Sequence, residues 1–453
     1  MKTRFRLFDS IRFWQATLGI CLMVVPAALF GQNSLNIDSS SWSIQKCLDY
    51  AKINNIQLNS LRLDQQTSQQ ELLLSKAAVL PGLSVTAIQN LTHGKSLDAN
   101  TGQYSSGLTP AGSYGVNTSV VLYQGGYLKQ DIRQKNLSLQ SAGLSIQEQE
   151  NNITLSITQY YLTVLLDKET IIYEQQIVNT SKAQVAQAKQ RYAAGSIARK
   201  DVAQLESQLA NDKYTLVTDL NTKMQDLLNL KQVLQLPTEY VFDIVEPDTI
   251  ISKKALPDLH TVQENALSFR PEIKIGELGI QTAELSLAKS RSGYLPTLTA
   301  SGSAGTSVTG TSPGYFTQLN NYFNQQAGLT LSIPIFNKRV NKTNVEEAKI
   351  NIEQAYLTLK DSKTNLSQNV EKSYLNVVNA QSQFDAALED LHYNRETYRI
   401  ANEQLSLGAT AMVDFLQQKS LYIQALQQFI QAKYNAALAI EIYNFYNGLP
   451  VKL

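Results

Sequence analysis

The sequence has few charged residues and almost no net charge. Charged side chains make up 17% of the 453 residues and the formal net charge is +1, whereas a typical soluble domain has roughly 25% charged residues. Without a strong basic field the chain is not expected to bind nucleic acid. Gln, Asn, Ser and Thr take the place of charge, which suits a surface packed against copies of the chain or lining a wide polar channel.

Cysteine and histidine are nearly absent, which limits the chemistry the chain can perform. The only cysteines are Cys21 and Cys47, and His93, His260 and His392 are scattered far apart. No cysteine cluster, catalytic triad or phosphate-binding glycine loop is evident. The sequence therefore predicts neither an enzyme nor a cofactor.

Long apolar runs are missing as well. The longest run, about 15 residues ending at Phe30, is shorter than the roughly 20 residues of a spanning helix. Basic residues precede it and small residues follow it, which predicts a signal peptide over residues 1–31. An uncleaved anchor and a lipid on Cys21 remain alternatives. If the mature chain crosses a membrane it must use strands, because only helices and closed barrels satisfy their backbone groups in lipid.

The chain contains two copies of one unit, which is the most informative feature of the sequence. Beyond a first match of Leu80-Pro81 with Leu295-Pro296, the offset settles at 213 residues. The matching pairs are Tyr161-Leu162 and Tyr374-Leu375, Gly195 and Gly408, Asp201 and Asp414, and Leu236-Pro237 and Leu449-Pro450. We therefore predict a first repeat over residues 32–236, a linker over 237–258 and a second repeat over 259–450.

Each repeat is predicted to contain very long helices. Apolar residues recur every seven positions at Ile132, Leu139, Ile146 and Ile153, and again at Val345, Ile352, Leu359 and Leu366. This spacing is typical of supercoiled helices, and alone it would fit a soluble coiled coil. The predicted helices are 43–78, 126–193 and 197–236 in the first repeat, and 259–292, 338–406 and 410–447 in the second.

Four alternating segments are predicted to be strands, at about 82–92, 114–124, 296–305 and 326–336. Their apolar faces are Leu83, Val85, Ala87 and Leu91; Tyr114, Val116, Thr118, Val120 and Leu122; Leu298, Ala300 and Ala304; and Ala327, Leu329, Leu331, Ile333 and Ile335. Small polar residues alternate with them, as in an outer-membrane barrel, although a soluble sheet would show the same pattern. The loops, about 92–113 and 304–325, are long and rich in Gly, Ser, Tyr and Asn.

Four strands are too few to close a membrane barrel, since the smallest barrels have about eight. The chain must therefore oligomerise to cover its strand edges. Two copies would supply eight strands and three would supply 12, and a conducting lumen favours the larger number. The predicted fold is thus an internally duplicated α+β membrane protein, a trimeric 12-stranded barrel continued by long helices.

Several motifs resemble the TolC-type outer-membrane efflux proteins over essentially all of the mature chain. They are Tyr294-Leu295-Pro296 before a strand, the segment Leu331–Phe336 after one, Tyr192-Ala193-Ala194-Gly195 followed by Asp201, and Leu405-Ser406-Leu407-Gly408 followed by Asp414. The resemblance implies a homotrimeric, passive duct in the outer membrane and its lipid, with a helical tunnel through the periplasm. A periplasmic adaptor and an inner-membrane pump of RND or ABC type would dock on it.

The resemblance also implies roles for particular residues. Asp414 matches an acid at the periplasmic aperture of the family, and Gln417 replaces a second acid there. Asp201 matches an acid that locks neighbouring helices, but Leu405 and Thr410 replace its usual Tyr and Arg partners. Seven residues would lie at the hairpin tips that face the adaptor: Tyr192, Gly195, Lys200, Asp201, Leu405, Gly408 and Thr410. The simpler alternatives are a helix-start acid for Asp414, helix-ending glycines, and a solvated Lys200.

Two other classes of protein remain as alternatives. A periplasmic adaptor would carry one helical hairpin and lipoyl-like segments, whereas this chain has two hairpins and no such segment. A lytic or hydrolytic surface enzyme would need a catalytic constellation. The sequence does not indicate the transported cargo.

Overall fold

The computed structural model describes residues 41–97, 102–247, 249–309 and 314–451. The predicted signal peptide and Cys21 lie outside these residues. In chain order the elements are α1 (Ile44–Asn54), α2 (Ile56–Ala77), β1 (Gly82–Leu97), β2 (Tyr104–Gln124), α3 (Tyr127–Ala193), α4 (Arg199–Leu234), α5 (Leu259–Phe269), α6 (Pro271–Ser292), β3 (Thr297–Thr309), α7 (Tyr315–Asn321), β4 (Asn324–Ser332), α8 (Val340–Leu407) and α9 (Met412–Tyr446).

The first helical stretch of each repeat is two helices, where one was predicted. Asn55 adopts an extended backbone, and its side-chain oxygen accepts hydrogen bonds from the amides of Gln57 and Leu58. It therefore ends α1 and caps α2. In the second repeat Pro271 is the first residue of α6. A proline disfavours the helical conformation of the residue before it, which is Arg270, so α5 ends there.

The long helices dominate the structure. α3 has 67 residues and α8 has 68, about 100 Å each at a rise of 1.5 Å per residue. Each packs along the following helix, α3 with α4 and α8 with α9, while α9 also contacts α3 and so joins the repeats. The heptad residues are buried or half-buried. None of the described helices is both long and apolar enough to cross a membrane.

Shorter elements bind the long helices together at mid-height. α6 packs against both α3 and α8, and a core forms around the fully buried Val370, Val377 and Tyr443. The linker is tied to α3, because the Tyr161 hydroxyl donates to the carbonyl of Val245 at 2.7 Å and Lys168 donates to that of Ile244 at 2.7 Å.

The four strands form one antiparallel sheet in the order β1-β2-β3-β4. The first hairpin is longer than predicted, because pairing continues from Leu91 opposite Pro110 to Leu97 opposite Tyr104. Backbone groups can form ladder hydrogen bonds even in a segment rich in Gly and Ser. Most of the predicted loop 92–113 is therefore strand. β4 is shorter than predicted and ends at Ser332, two residues before Pro334, which cannot donate to a ladder. Residues 98–101 and 310–313 of the two loops lie outside the described part.

The register aligns the predicted apolar faces across most of the sheet. A β-bulge between Val121 and Tyr123 places Tyr123, and not the predicted Leu122, opposite Leu298. Val85 pairs with Val116, and Val116 with Ala304; Leu329 pairs with Ala300. The large side chains on this face, among them Leu83, Val85 and Leu329, are exposed. A sheet face that exposes so many large apolar side chains is suited to lipid. Within the described residues, β1 and β4 each have an edge that pairs with no strand.

Candidate functional site

Both helical hairpins reverse at the same kind of turn, 213 residues apart. The amide of Gly195 donates to the carbonyl of Tyr192 at 2.9 Å, and that of Gly408 donates to Leu405 at 3.2 Å. Both glycines have φ of +74°, which costs little only for a residue without Cβ. In each turn the next residue closes a second bond, from Ser196 to Arg191 and from Ala409 to Gln404. Each turn is therefore a Schellman motif.

An acid follows each turn in the first turn of the next helix. The Asp201 carboxylate accepts a hydrogen bond from the amide of Ala198 at 3.2 Å. Ala198 is the residue before α4 and has no side-chain acceptor of its own, so Asp201 stabilises the start of this helix. Asp414 takes the equivalent position in α9 and is exposed, as is Gln417 one turn further along.

The two hairpin tips pack against each other as one unit. Arg191, in the last turn of α3, donates from Nη1 to the carbonyl of Leu405 at 2.9 Å. Beneath this bond the fully buried Phe415 packs among Val185 and Val202 in an apolar cluster. The first tip is thereby held against the second, which fixes the relative position of the two turns.

A groove of about 330 Å³ lies between the tips. It brings together four of the predicted tip residues, Asp201, Leu405, Gly408 and Thr410. The other three, Tyr192, Gly195 and Lys200, are exposed on the first tip and do not line the groove. Neither do Asp414 and Gln417. Sequence reasoning missed Arg191, although a basic residue in the last turn of a helix was a signal that it could bind carbonyls.

A buried ion pair lies close to the tips and was not predicted. Lys419 of α9 donates to the Asp212 carboxylate of α4 at 2.8 Å, and both side chains are only 3% exposed. Ser181 of α3 bonds to both groups, and Gln208 donates to the second Asp212 oxygen at 2.7 Å. Three helices from two repeats thus meet at one fully paired network. No sequence signal links Lys419 with Asp212, which lie 207 residues apart.

Further from the tips, carboxyl groups meet between α3 and α4. Asp167 is buried on α3, its Oδ2 has no hydrogen-bond partner, and the charge of Asp226 on α4 acts on it. Burial, and then the nearby charge of Asp226, raise the pKa of Asp167 to about 7, while Lys223 acts in the opposite direction. A buried carboxyl group near a second carboxylate favours its neutral form. Asp167 therefore keeps its proton up to about pH 7.

The described residues show little that could support metal or thiol chemistry. Among them, no three His, Cys, Asp or Glu side chains are placed to hold a metal ion. Cys47 is buried, and burial raises the pKa of its thiol to about 12. A buried, protonated thiol is a poor nucleophile.

Comparison with known proteins identifies relatives along most of the chain. Residues 47–234 and 262–441 match the family described as outer membrane efflux protein. Outer membrane protein TolC of Escherichia coli (strain K12) is 22% identical over 428 residues, 91% of this chain and 83% of TolC. Outer membrane efflux protein BepC of Brucella suis biovar 1 (strain 1330) is 20% identical over 396 residues, 85% of this chain and 81% of BepC.

Solved structures share the fold. The Campylobacter jejuni CmeC outer membrane channel superposes with a TM-score of 0.75 at 18% identity, covering 89% of this chain and 86% of CmeC. The predicted resemblance, the fold class, and an outer-membrane location with a periplasmic helical extension are confirmed. The roles assigned to the tip and aperture residues stay predictions.

Proposed function

The chain belongs to the outer membrane efflux protein family, and we propose that it is the passive channel subunit of a tripartite export system for efflux or type I secretion. One observation carries this proposal. A four-stranded sheet with an exposed apolar face and two free edges continues into helices about 100 Å long. Such a chain is suited to line a duct that begins in the membrane and extends far beyond it.

The internal repeat supports a ring of identical copies. Within one chain, α9 of the second repeat packs on α3 of the first. On these two helices, Leu162 of α3 and Ile430 of α9 are each 1% exposed. Their counterparts 213 residues away are Leu375 of α8, which is 51% exposed, and Val217 of α4, which is 55% exposed. The surfaces that are buried where α9 meets α3 therefore have equivalents on α4 and α8, and these equivalents are exposed in the single chain.

The exposed surfaces of α4 and α8 are related to each other by the repeat in the same way as the buried surfaces of α9 and α3. We propose that α4 of one copy packs on α8 of the next, and that β1 of one copy pairs with β4 of its neighbour. Heterologous contacts of this kind close into a ring. Three copies would give 12 strands, and a barrel of that size leaves room for a lumen, whereas eight strands are filled by side chains.

The hairpin tips are the proposed docking site for a periplasmic adaptor and, through it, an inner-membrane pump of RND or ABC type. Their support is the groove between the tips and the exposed Tyr192, Lys200 and Leu407 around it. Leu407, the last residue of α8, is a large apolar residue that is 82% exposed, which favours contact with a partner protein. Asp414 and Gln417, exposed on α9, are the proposed lining of the aperture.

The channel is proposed to do no chemistry and to need no cofactor, in keeping with relatives that are named as efflux proteins and channels. Transport energy would come from the pump. Discrimination between cargoes would reside there too, because a wide lumen lined by small polar residues binds little selectively.

The assembly can be tested with charges placed on the uncovered surfaces. Val217→Glu and Leu375→Glu should each convert a detergent-extracted trimer into smaller species in native mass spectrometry, because an interfacial carboxylate would be buried without a partner. Gln225→Glu is the matched control, since Gln225 is an exposed polar residue on α4. A monodisperse monomer of the unsubstituted mature chain in solution without detergent would contradict the proposed function.

A further inference from the structure

The short helix α7 lies against the outward, apolar face of the sheet. Two of the strand residues it touches identify this face. The Tyr315 hydroxyl bonds to the hydroxyl of Tyr114, and Thr306 donates to the carbonyl of Leu319 at 2.7 Å. Tyr114 and Thr306 are paired across β2 and β3. Each lies two residues along its strand from a member of the apolar face, Tyr114 from Val116 and Thr306 from Ala304. Side chains two residues apart on a strand point to the same face, so Tyr114 and Thr306 belong to the apolar face.

α7 buries a polar residue and exposes a large apolar one. Gln318 points towards the sheet, is 1% exposed, and accepts a hydrogen bond from the amide of Thr309 at 2.9 Å. Phe316 points away and is 84% exposed, with Tyr322 and Phe323 also exposed just after the helix. A surface helix in water buries its apolar residues and exposes its polar ones. α7 departs from this rule at Gln318 and Phe316, whereas Thr317, Asn320 and Asn321 are exposed polar residues. An exposed phenylalanine is the arrangement expected against an apolar medium.

The height of α7 matches the boundary of the hydrocarbon layer. Leu298 and Leu331 pair at the end of the sheet nearest the long helices. From Leu298 to Thr306 the strand rises eight residues, about 26 Å at 3.3 Å per residue. A tilt of about 40° reduces this to roughly 20 Å, and the apolar band of an outer-membrane barrel is about 25 Å tall. α7 therefore lies where the outer side of that band ends.

The surrounding sequence carries no charge. Residues 292–337 contain no Asp, Glu, Lys, Arg or His, whereas the first hairpin carries His93 and Lys95. Aromatic side chains are enriched at both membrane interfaces, where an apolar ring and a polar tip are each satisfied. Two tyrosines and two phenylalanines, Tyr315, Phe316, Tyr322 and Phe323, lie within nine positions.

We propose that α7 is an interfacial anchor, with Phe316 and Phe323 inserted among the lipids of the outer leaflet. This inference rests on the proposed function, because it requires the apolar face of the sheet to meet lipid. The anchor would fix the height of the barrel on its extracellular side, and it has no counterpart in the first hairpin among the described residues. Its partner is a lipid surface rather than a protein.

Spin labels on single introduced cysteines can test the anchor in the assembled protein. Phe316→Cys would report on α7, Leu329→Cys on the apolar face of the sheet, and Thr330→Cys on its polar face. The native Cys47 is buried, and unsubstituted protein carried through the same labelling controls for it. Each variant is reconstituted into phosphatidylcholine vesicles, and label relaxation by oxygen is compared with relaxation by a polar nickel chelate.

Oxygen enters hydrocarbon and the chelate does not, so the oxygen-to-nickel ratio at Phe316→Cys should be at least about twofold above that at Thr330→Cys. Dominant nickel relaxation at Phe316→Cys, with lipid contact at Leu329→Cys, would overturn the anchor alone and leave the channel intact. Low accessibility to both reagents would also overturn it, because a second copy would then cover α7. Absence of lipid contact at Leu329→Cys would overturn the proposed channel and the anchor with it.

Discussion

The buried pair of Lys419 and Asp212 gives the most exacting test of the packing at the tips. Lys419→Met keeps the length of the side chain and removes its charge. The Asp212 carboxylate would then stay buried with only Ser181 and Gln208 as partners. Removing one member of a buried pair costs about 3–5 kcal/mol, because the remaining charge is uncompensated. We expect the start of α9 to separate from α3 and α4 more easily by that amount.

Hydrogen exchange in the native assembly measures this local opening directly. A loss of about 3–5 kcal/mol should speed exchange of amides around positions 205–215 and 415–425 by a factor of roughly a hundred to several thousand. Lys253→Met is the matched control, because Lys253 pairs with Asp385 at 2.6 Å on the surface. An exposed pair contributes at most about 1 kcal/mol, so exchange near this control should change little.

A double variant separates the charge from the packing. Replacing Asp212 with Asn as well as Lys419 with Met removes both charges, so the double variant should recover most of the loss. Additive losses in the two single variants and the double variant would refute the reasoning, since they would mean that the pair does not stabilise the contact through mutual compensation.

Three further predictions concern the sheet, the aperture and the turns. Leu329→Arg should impair assembly by about 2–4 kcal/mol, the cost of a basic residue facing the bilayer midplane, while Thr330→Arg on the other face should alter conductance only; equal damage in folding assays would remove the case for a barrel. Asp414→Asn should lower cation preference in planar-bilayer recordings more than the mid-helix control Asp361→Asn, because the three carboxylates of the proposed aperture would attract cations; equal reversal potentials would make Asp414 a helix-start residue only. Gly408→Ala should destabilise the tip by about 1–2 kcal/mol in thermal unfolding, because its positive φ is unfavourable for alanine, and an unchanged melting temperature would contradict this.

The sequence was most informative where a regular period controls the structure. The seven-residue spacing through Ile153 and Leu359 predicted long packed helices, because apolar residues at this interval all lie on the same side of a helix and pack against the partner helix. The alternation around Val85 and Leu329 predicted which side chains share a face of the sheet, because that face depends only on parity along a strand. The duplication added the relation between Gly195 and Gly408.

The sequence was least informative where contacts join distant segments. The first hairpin continues to Leu97 because its two arms pair with each other, whatever their loop-like composition. The contact of Arg191 with Leu405 and the pair of Lys419 with Asp212 depend on how four helices are arranged around one another. The helix propensities of the individual segments do not determine that arrangement. α7 lies within a loop-like segment of the sequence. Its buried Gln318 and exposed Phe316 can be interpreted only once the sheet face that it covers is known.

The carboxyl pair between α3 and α4 makes stability depend on pH in an unusual direction. An unfolded aspartate has a pKa of about 3.9, whereas burial and Asp226 raise the pKa of Asp167 to about 7 in the folded chain. Between these two values the folded state binds a proton that the unfolded state does not. Stability must therefore fall as the pH rises from about 4 to about 7, and change little from this group above that window.

Asp167→Asn removes the titration and keeps a neutral side chain of the same size beside Asp226 at every pH. The variant should be more resistant to thermal unfolding than the unsubstituted protein at pH 8, and its melting temperature should fall less between pH 5 and pH 8. Some slope should remain, because burial also raises the pKa of Asp219 and Glu174. Asp390→Asn, at an exposed site on α8, should leave the slope unchanged. If Asp167→Asn and Asp390→Asn show the same pH dependence as the unsubstituted protein, the proton is not held at Asp167, and the two helices meet there through ionised carboxylates balanced by Lys223.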